Sequence, residues 1–230
     1  MASPRLFGSR LSPFVEKVAQ SLALKGVDFE LVDPRSPMEF RRWNPQTGKM
    51  PVLDLDGERI YDSTLILREL DRRFPDPPLV SSRPKLAAAQ RQVEDWADEA
   101  LYWYFMAVRW TDANAAATAR QITAGLSPLF RPVARLVLPP QIRGMVRAQG
   151  LGRLPLPMLM QEVEGRLDDL VAIIGDDPFI FGDAPSVADL AVYGQLHMAQ
   201  SGPTPELAAL IRARPSLVEL QRRVEERASL

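Results

Sequence analysis

The sequence has no cysteine and a single histidine among its 230 residues. The first absence excludes disulfides, thiolate metal sites and a cysteine nucleophile together. The second excludes a multi-histidine metal site and forces any serine–histidine–acid triad through His197. Neither sign of charge dominates. The 28 basic and 29 acidic side chains leave a formal charge of −1, and they balance on both sides of residue 80, so neither half is a basic platform for nucleic acid. No apolar run of signal-peptide length opens the chain, and no window approaches the ~20 uncharged apolar residues of a membrane span. GxGxxG and P-loop patterns are missing too, which removes the common nucleotide-binding loops. The expectation is a cytoplasmic, soluble protein without nucleic acid, membrane or metal as partner. Its composition, 46% hydrophobic and 25% charged, is ordinary for a globular chain of one large or two modest domains.

The first third alternates short strands and helices. Pro4–Gly8 is a brief apolar run that reads as a strand. Ser12-Pro13 follows as a helix start, with serine as N-cap and proline at the first helical position. Phe14, Val15, Val18 and Leu22 then fall at helical spacing with Glu16, Lys17 and Gln20 between them, until Lys25-Gly26 closes the helix. Val27–Val32 alternates apolar and charged residues, a second strand. Met38–Trp43 is loosely helical. Pro51–Leu55 and Glu58–Tyr61 flank Asp56-Gly57, a two-residue hairpin turn. Asp62-Ser63 precedes a second amphipathic helix that ends at Pro75. The order is βαβ-α-ββα, a small mixed sheet with helices on its faces.

Residues 75–84 are rich in proline and serine and mark a stiff connection. The expected division is an α/β domain over 1–79, a linker over 80–86 and an all-α domain over 87–230. Lys85–Trp110, Met158–Ile174, Ser186–Gln200, Pro205–Ala213 and Pro215–Ala228 are helical candidates, and five to seven helices are expected. Residues 126–146, apolar and proline-rich, read as a kinked, partly buried helical segment whose arginines argue against a lipid role.

Three runs in order, LFGSRLSPFVEKV (6–18), NPQTGKMPVL (44–53) and YDSTLIL (61–67), resemble the N-terminal half of a glutathione transferase. FIFGDAPSVADLAVYG (179–194) is similar to the signature segment of that family's C-terminal domain. From Gly150 onward the chain also resembles the failed-axon-connections and metaxin branch of the superfamily. The resemblance implies a thioredoxin-like glutathione-binding domain, a helical domain with a second-substrate pocket, and a two-fold homodimer. Glutathione would be the cosubstrate and a small hydrophobic electrophile its partner in detoxifying conjugation. A non-catalytic binding protein and a glutathione-dependent isomerase or dehalogenase are the alternatives.

On that resemblance, Ser12 matches the thiolate-stabilising serine of the tau-like, serine-type enzymes, directly before Pro13-Phe14. Its other reading is a plain helix cap. Ser9 is the competing hydroxyl, with Arg10 as an electrostatic helper, and Phe7 stands where tyrosine-type enzymes carry their phenol. Met50-Pro51 is a candidate cis peptide that would present the Met50 backbone to the cysteinyl unit, or else a proline that begins an edge strand. Lys49 would reach the glycine carboxylate. Ser63 and the amides after it would receive the γ-glutamyl carboxylate, and Asp62 its amino group, unless the pair is only an N-cap. In the helical half, Trp96, Trp103 and Trp110 recur every seven residues and are expected on one face. Such stripes are commonly core, but Tyr102, Phe105 and Met106 are candidates for the electrophile pocket. Ser186 and Asp189 form a capping-box pattern, and His197 reads as structural.

Overall fold

The computed structural model describes residues 3–229; residues 1, 2 and 230, the outer ends of the two expected domains, lie outside the described residues. The α/β portion comprises β1 (Arg5–Phe7), α1 (Pro13–Leu24), β2 (Glu30–Val32), α2 (Pro37–Trp43), β3 (Val52–Leu55), β4 (Glu58–Tyr61) and α3 (Ser63–Arg73). The sheet order is β2-β1-β3-β4. β1 pairs parallel with β2 and antiparallel with β3, and β3 with β4 forms the hairpin. Asp56 and Gly57 both adopt left-handed φ, 55° and 83°, as a two-residue turn requires.

Strand alternation sorts the side chains between two faces. Leu6 and Leu53 point into the main core with Val15, Val18 and Leu22 of α1 and Ile66 and Leu70 of α3. Phe7 and Val52 point the other way, where Trp43 of α2 covers them, the Phe7 and Trp43 rings lying 5.0 Å apart. The second strand is shorter than its alternation suggested. β1 is only three residues long, and its register begins at Arg5 opposite Glu30, so Val27 and Phe29 have no strand to pair with and pack against the core instead. The weak helical signal at 38–43 hides a real capping box: the Ser36 hydroxyl accepts from Met38 N–H, and Glu39 reaches back to Ser36 N–H.

The rest is helical: α4 (Pro84–Asp95), a π-helical turn (Trp96–Leu101), α5 (Tyr102–Arg109), α6 (Ala115–Ile122), α7 (Arg131–Gln149), a 3-10 turn (Leu151–Arg153), α8 (Leu156–Ile174), α9 (Val187–Ser201), α10 (Pro205–Arg212) and α11 (Pro215–Ala228). Because α4, the π turn and α5 are continuous, the eight α-helical segments form seven rods. No described helix is long and apolar enough to cross a membrane. The proline-rich connection is docked rather than free: Leu79 is fully buried, its N–H donates to Asp71 and its carbonyl accepts from Val187 N–H.

The helical half encloses α1, which touches α9 and α11 as well as α3. Glu16, Lys17 and Gln20, which the spacing placed on a polar face, are therefore buried. Gly194 of α9 makes this closeness possible, since a Cβ there would sit 2.3 Å from the Pro13 carbonyl oxygen. Asp189, deep below the start of α9, accepts from Ile180 N–H, Ser186 N–H and the Ser186 hydroxyl, each at 2.8 Å. It thus ties the 179–186 loop to the helix it caps. His197 stacks on Tyr193 in the same helix.

Candidate functional site

A cleft of about 1070 Å³ opens between the sheet's loop edge and the helical half. Ser9, Ser12, Lys49, Met50, Pro51, Asp62 and Ser63 all line it, and so do Tyr102 and Met106. The structure thus gathers nine of the ten candidates around one space. Phe105 is the exception. It is fully buried in the core, and Trp103 stands on the cleft wall instead.

Ser12 occupies the N-cap position of α1 with extended backbone (φ −88°, ψ 127°), yet its hydroxyl makes no capping bond. Its main chain does the local work: Ser12 N–H donates to Ser9 O and Ser12 O accepts from Glu16 N–H. The side chain is left free toward the cleft at the positive end of a twelve-residue helix. Gly8, at φ 137°, allows the loop this course, because a Cβ there would lie 2.5 Å from a Val15 methyl and 3.3 Å from Met50 Cβ. Arg10 corrects the expectation made for it. Its guanidinium forms a two-pronged pair with Glu16, both contacts 2.6 Å, and it is not among the residues lining the cleft. Burial pushes the Glu16 carboxyl up, but Arg10 and Gln20 outweigh it and the net shift is downward.

The Met50-Pro51 bond is cis. Asn44, buried behind the loop, holds it by donating to Thr47 Oγ1 and to the Lys49 carbonyl. Asp62 has a left-handed φ of 74°, uncommon for a residue with a side chain and a sign of local strain that its surroundings must hold. One carboxylate oxygen, Oδ1, caps α3 by accepting from Thr64 and Leu65 N–H. The two readings of this pair therefore coexist, with one amendment: the Thr64 and Leu65 amides are taken by Asp62 itself. The Ser63 N–H and hydroxyl are the donors at the helix start, and Oδ2 of Asp62 is the remaining acceptor.

The opposite wall comes from the rod α4–α5. A π turn closes i to i+5 and so changes the phase of the side chains. The heptad of tryptophans is broken by it: Trp103 and Trp110 line the cleft and Trp96 does not. The same turn places Asp98 where one oxygen meets Lys17 Nζ at 2.6 Å while the other, Oδ1, is buried without a partner on the cleft wall. Lys17 also meets Glu94 at 2.7 Å and Thr64 Oγ1 at 3.3 Å, so α1, α3 and the rod are joined by one buried ionic knot. Burial lifts the Asp98 carboxyl to about 6, against the pull of Lys17. Nothing in the sequence marks Asp98, because neither a π turn nor a partner 81 residues away has a local signature.

The 126–146 segment also finds its reason here. α7 runs through Pro139 and Pro140, and Val133, Val137, Leu138, Ile142 and Met145 along it face the cleft. The face is mostly open rather than packed, with Val133 and Val137 exposed. Phe14 and Tyr102, their rings 5.0 Å apart, join the two walls at the floor.

Models of the glutathione S-transferase N-terminal and C-terminal domains match residues 6–78 and 163–224. The chain belongs to the glutathione transferase family. It is 26% identical over 229 residues to an isoprene-epoxide–glutathione S-transferase of Rhodococcus sp. strain AD45, covering 94% of this chain and 92% of that one. The Failed axon connections protein of Drosophila melanogaster is 27% identical over 81% of this chain, which spans only 47% of that longer protein. Among solved structures, a glutathione S-transferase of Methylobacterium radiotolerans JCM 2831 in complex with glutathione sulfonate superposes with a TM-score of 0.65 at 29% identity, covering 98% and 92% of the two chains. As a member of this family, the chain sets an α/β half against a helical half, with the cleft between them. It has no described cluster of acidic or histidine side chains that could hold a metal ion.

Proposed function

We propose that this family member is a glutathione transferase in which the Ser12 hydroxyl stabilises the glutathione thiolate for attack on a small hydrophobic electrophile. The observation that carries the proposal is the uncommitted Ser12 side chain at the start of α1, facing the same cleft as cis Pro51 and the Asp62-Ser63 pair. A free thiol has a pKa near ~8.5 and is mostly protonated at neutral pH. A hydrogen bond to the charged form is worth about 1.5–3 kcal/mol, or roughly one to two pKa units, and the helix end adds to it within the first turn.

In this reading the tripeptide lies along the loop edge of the sheet. The Met50 backbone pairs with the cysteinyl unit, Lys49 meets the glycine carboxylate, and Ser63 receives the γ-glutamyl carboxylate. The γ-glutamyl ammonium sits between Asp62 Oδ2 and the unpartnered Oδ1 of Asp98, so two carboxylates converge on one cation. The thiol proton leaves to solvent. The thiolate sulfur then forms a C–S bond to the electrophile, which is held against Tyr102, Trp103 and Met106, as the bond to its leaving group or epoxide oxygen breaks. Rate enhancement comes from positioning and from electrostatic stabilisation of the nucleophile.

Glutathione titration with ultraviolet detection of the thiolate at neutral pH tests this directly. Wild type should form thiolate; Ser12→Ala should bind glutathione with similar affinity but raise the thiol pKa by about one to two units, whereas Ser9→Ala should leave it in place. Absence of glutathione binding in the wild type would refute the proposal, and binding without thiolate would point to a glutathione-binding protein that does no conjugation.

A further inference from the structure

Arg109 is a buried cation with no charge partner among the described residues. It ends α5, is 2% exposed, and lines the cleft. Its NH2 group donates to Gln121 Oε1 at 2.9 Å, and Gln121 is itself fixed by donating to the Ser201 carbonyl. Its Nε is buried with no acceptor. Among the described residues no carboxylate offsets its charge, and burial lowers the guanidinium to about 10, which still leaves it charged at neutral pH. The neighbouring Arg143 shows the ordinary alternative: it pairs with Asp112 and donates to the Trp110 carbonyl. Trp110 adds a second orphan. It too lines the cleft, and its indole Nε1 is buried without a partner.

Buried donors are almost always satisfied, and a buried unpaired charge is among the least favourable features a fold can carry. Here two orphan N–H donors belong to consecutive residues, Arg109 and Trp110, and both residues line the cleft along with Trp103, Met106, Ile142 and Met198. Both orphans are donors and one carries a positive charge, so their complement is a group with acceptors and negative charge. Planar guanidinium geometry suits a carboxylate.

We propose that Arg109 and Trp110 form an anion-receiving end of the second-substrate pocket, so that the preferred electrophile is an apolar molecule bearing a carboxylate. This rests on the transferase reading for the existence of an electrophile, but the donor pair itself is independent of catalysis. Gln121 is a positioning residue that holds the guanidinium in register.

The test uses two matched pairs of probes on the full chain. For binding, 3,5-dinitrobenzoate and its methyl ester are titrated calorimetrically without turnover. For catalysis, 4-chloro-3,5-dinitrobenzoate and its methyl ester are compared by kcat/KM, each corrected for its uncatalysed rate; the thiolate forms a C–S bond at the chlorinated carbon and chloride leaves. Wild type should favour the carboxylate over the ester by about ten- to hundredfold in both, the equivalent of one charge-assisted hydrogen-bond set. Arg109→Met should abolish the preference while leaving glutathione affinity and Tm near wild type, and Arg109→Lys should keep part of it. A carboxylate preference in binding alone upholds the donor site even in a chain that conjugates neither probe, so the two proposals fail separately. Equal binding of acid and ester by wild type, an unchanged preference in Arg109→Met, or a loss of glutathione affinity in that variant would overturn the inference.

Discussion

Lys17 and Arg109 are both buried cations close to one cleft, and the fold treats them in opposite ways. Lys17, just behind the wall built by α1, meets two carboxylates and a hydroxyl and joins three helices. Arg109, at the end of α5, has one neutral glutamine and an unpaired Nε. The first is the signature of a cation that belongs to the structure. The second is that of a cation waiting for a ligand, because a fold seldom leaves a buried charge unmatched unless something else matches it. The contrast separates the junction that holds the two halves together from the pocket that they create.

The largest effect is expected at the knot. Lys17→Met leaves Glu94 and Asp98 buried without their counter-charge, and breaking such a set costs about 3–5 kcal/mol. In a chain of this length that is a fall in Tm on the order of 10 °C. A Tm unchanged by this substitution would erase the contrast at once.

Asp98 sharpens the contrast through pH. Its carboxyl titrates at about 6 in the folded protein against 3.8 for the free side chain, mainly because burial disfavours the charged form. The folded state therefore holds the extra proton between those two values. This group's contribution to stability falls as pH rises through that window, by on the order of 3 kcal/mol, and the deficit persists at neutral pH. Asp98→Asn removes the titration, so the variant should gain Tm relative to wild type as pH goes from 4 to 7 while binding glutathione more weakly. A difference in Tm that stays constant across that range would assign the titration elsewhere.

Gly194→Ala tests the clamp on α1 that keeps Lys17 buried. A methyl group 2.3 Å from the Pro13 carbonyl oxygen must push α9 and α1 apart, at a cost of about 1–3 kcal/mol, read by chemical denaturation, and should disturb the Ser12 loop with it. The smallest effect is expected at Arg109. Replacing an unpaired buried cation by an apolar side chain of similar length is often neutral or stabilising. Arg109→Met should therefore shift stability by less than about 1 kcal/mol, and a large loss there would make Arg109 structural like Lys17.

Ser12-Pro13, Asp56-Gly57, Met50-Pro51 and Ser186–Asp189 are local devices, each readable because the atoms that need one another lie within a few residues. They carry the βαβ-α-ββα order, the hairpin turn, the α1 boundary and the start of α9, and they placed the loop side of the site. The misreadings share another cause. Glu16, Lys17 and Gln20 look like a solvent face until α9 and α11 cover them. Phe105 turns to the core and Trp103 to the cleft because the packing of the rod, which the spacing alone does not give, decides which side of α5 meets the pocket.

The sequence by itself determined the elements, the absence of cysteine and multi-histidine chemistry, and the hydroxyl that begins α1, because periodicity, capping and composition act over one or two turns. Only the tertiary structure decided which charges are paired. Lys17 finds Asp98 across 81 positions of chain, and among the described residues Arg109 finds no carboxylate. Whether a cation is a rivet or a receptor depends on what packs around it in space, and no local pattern encodes that.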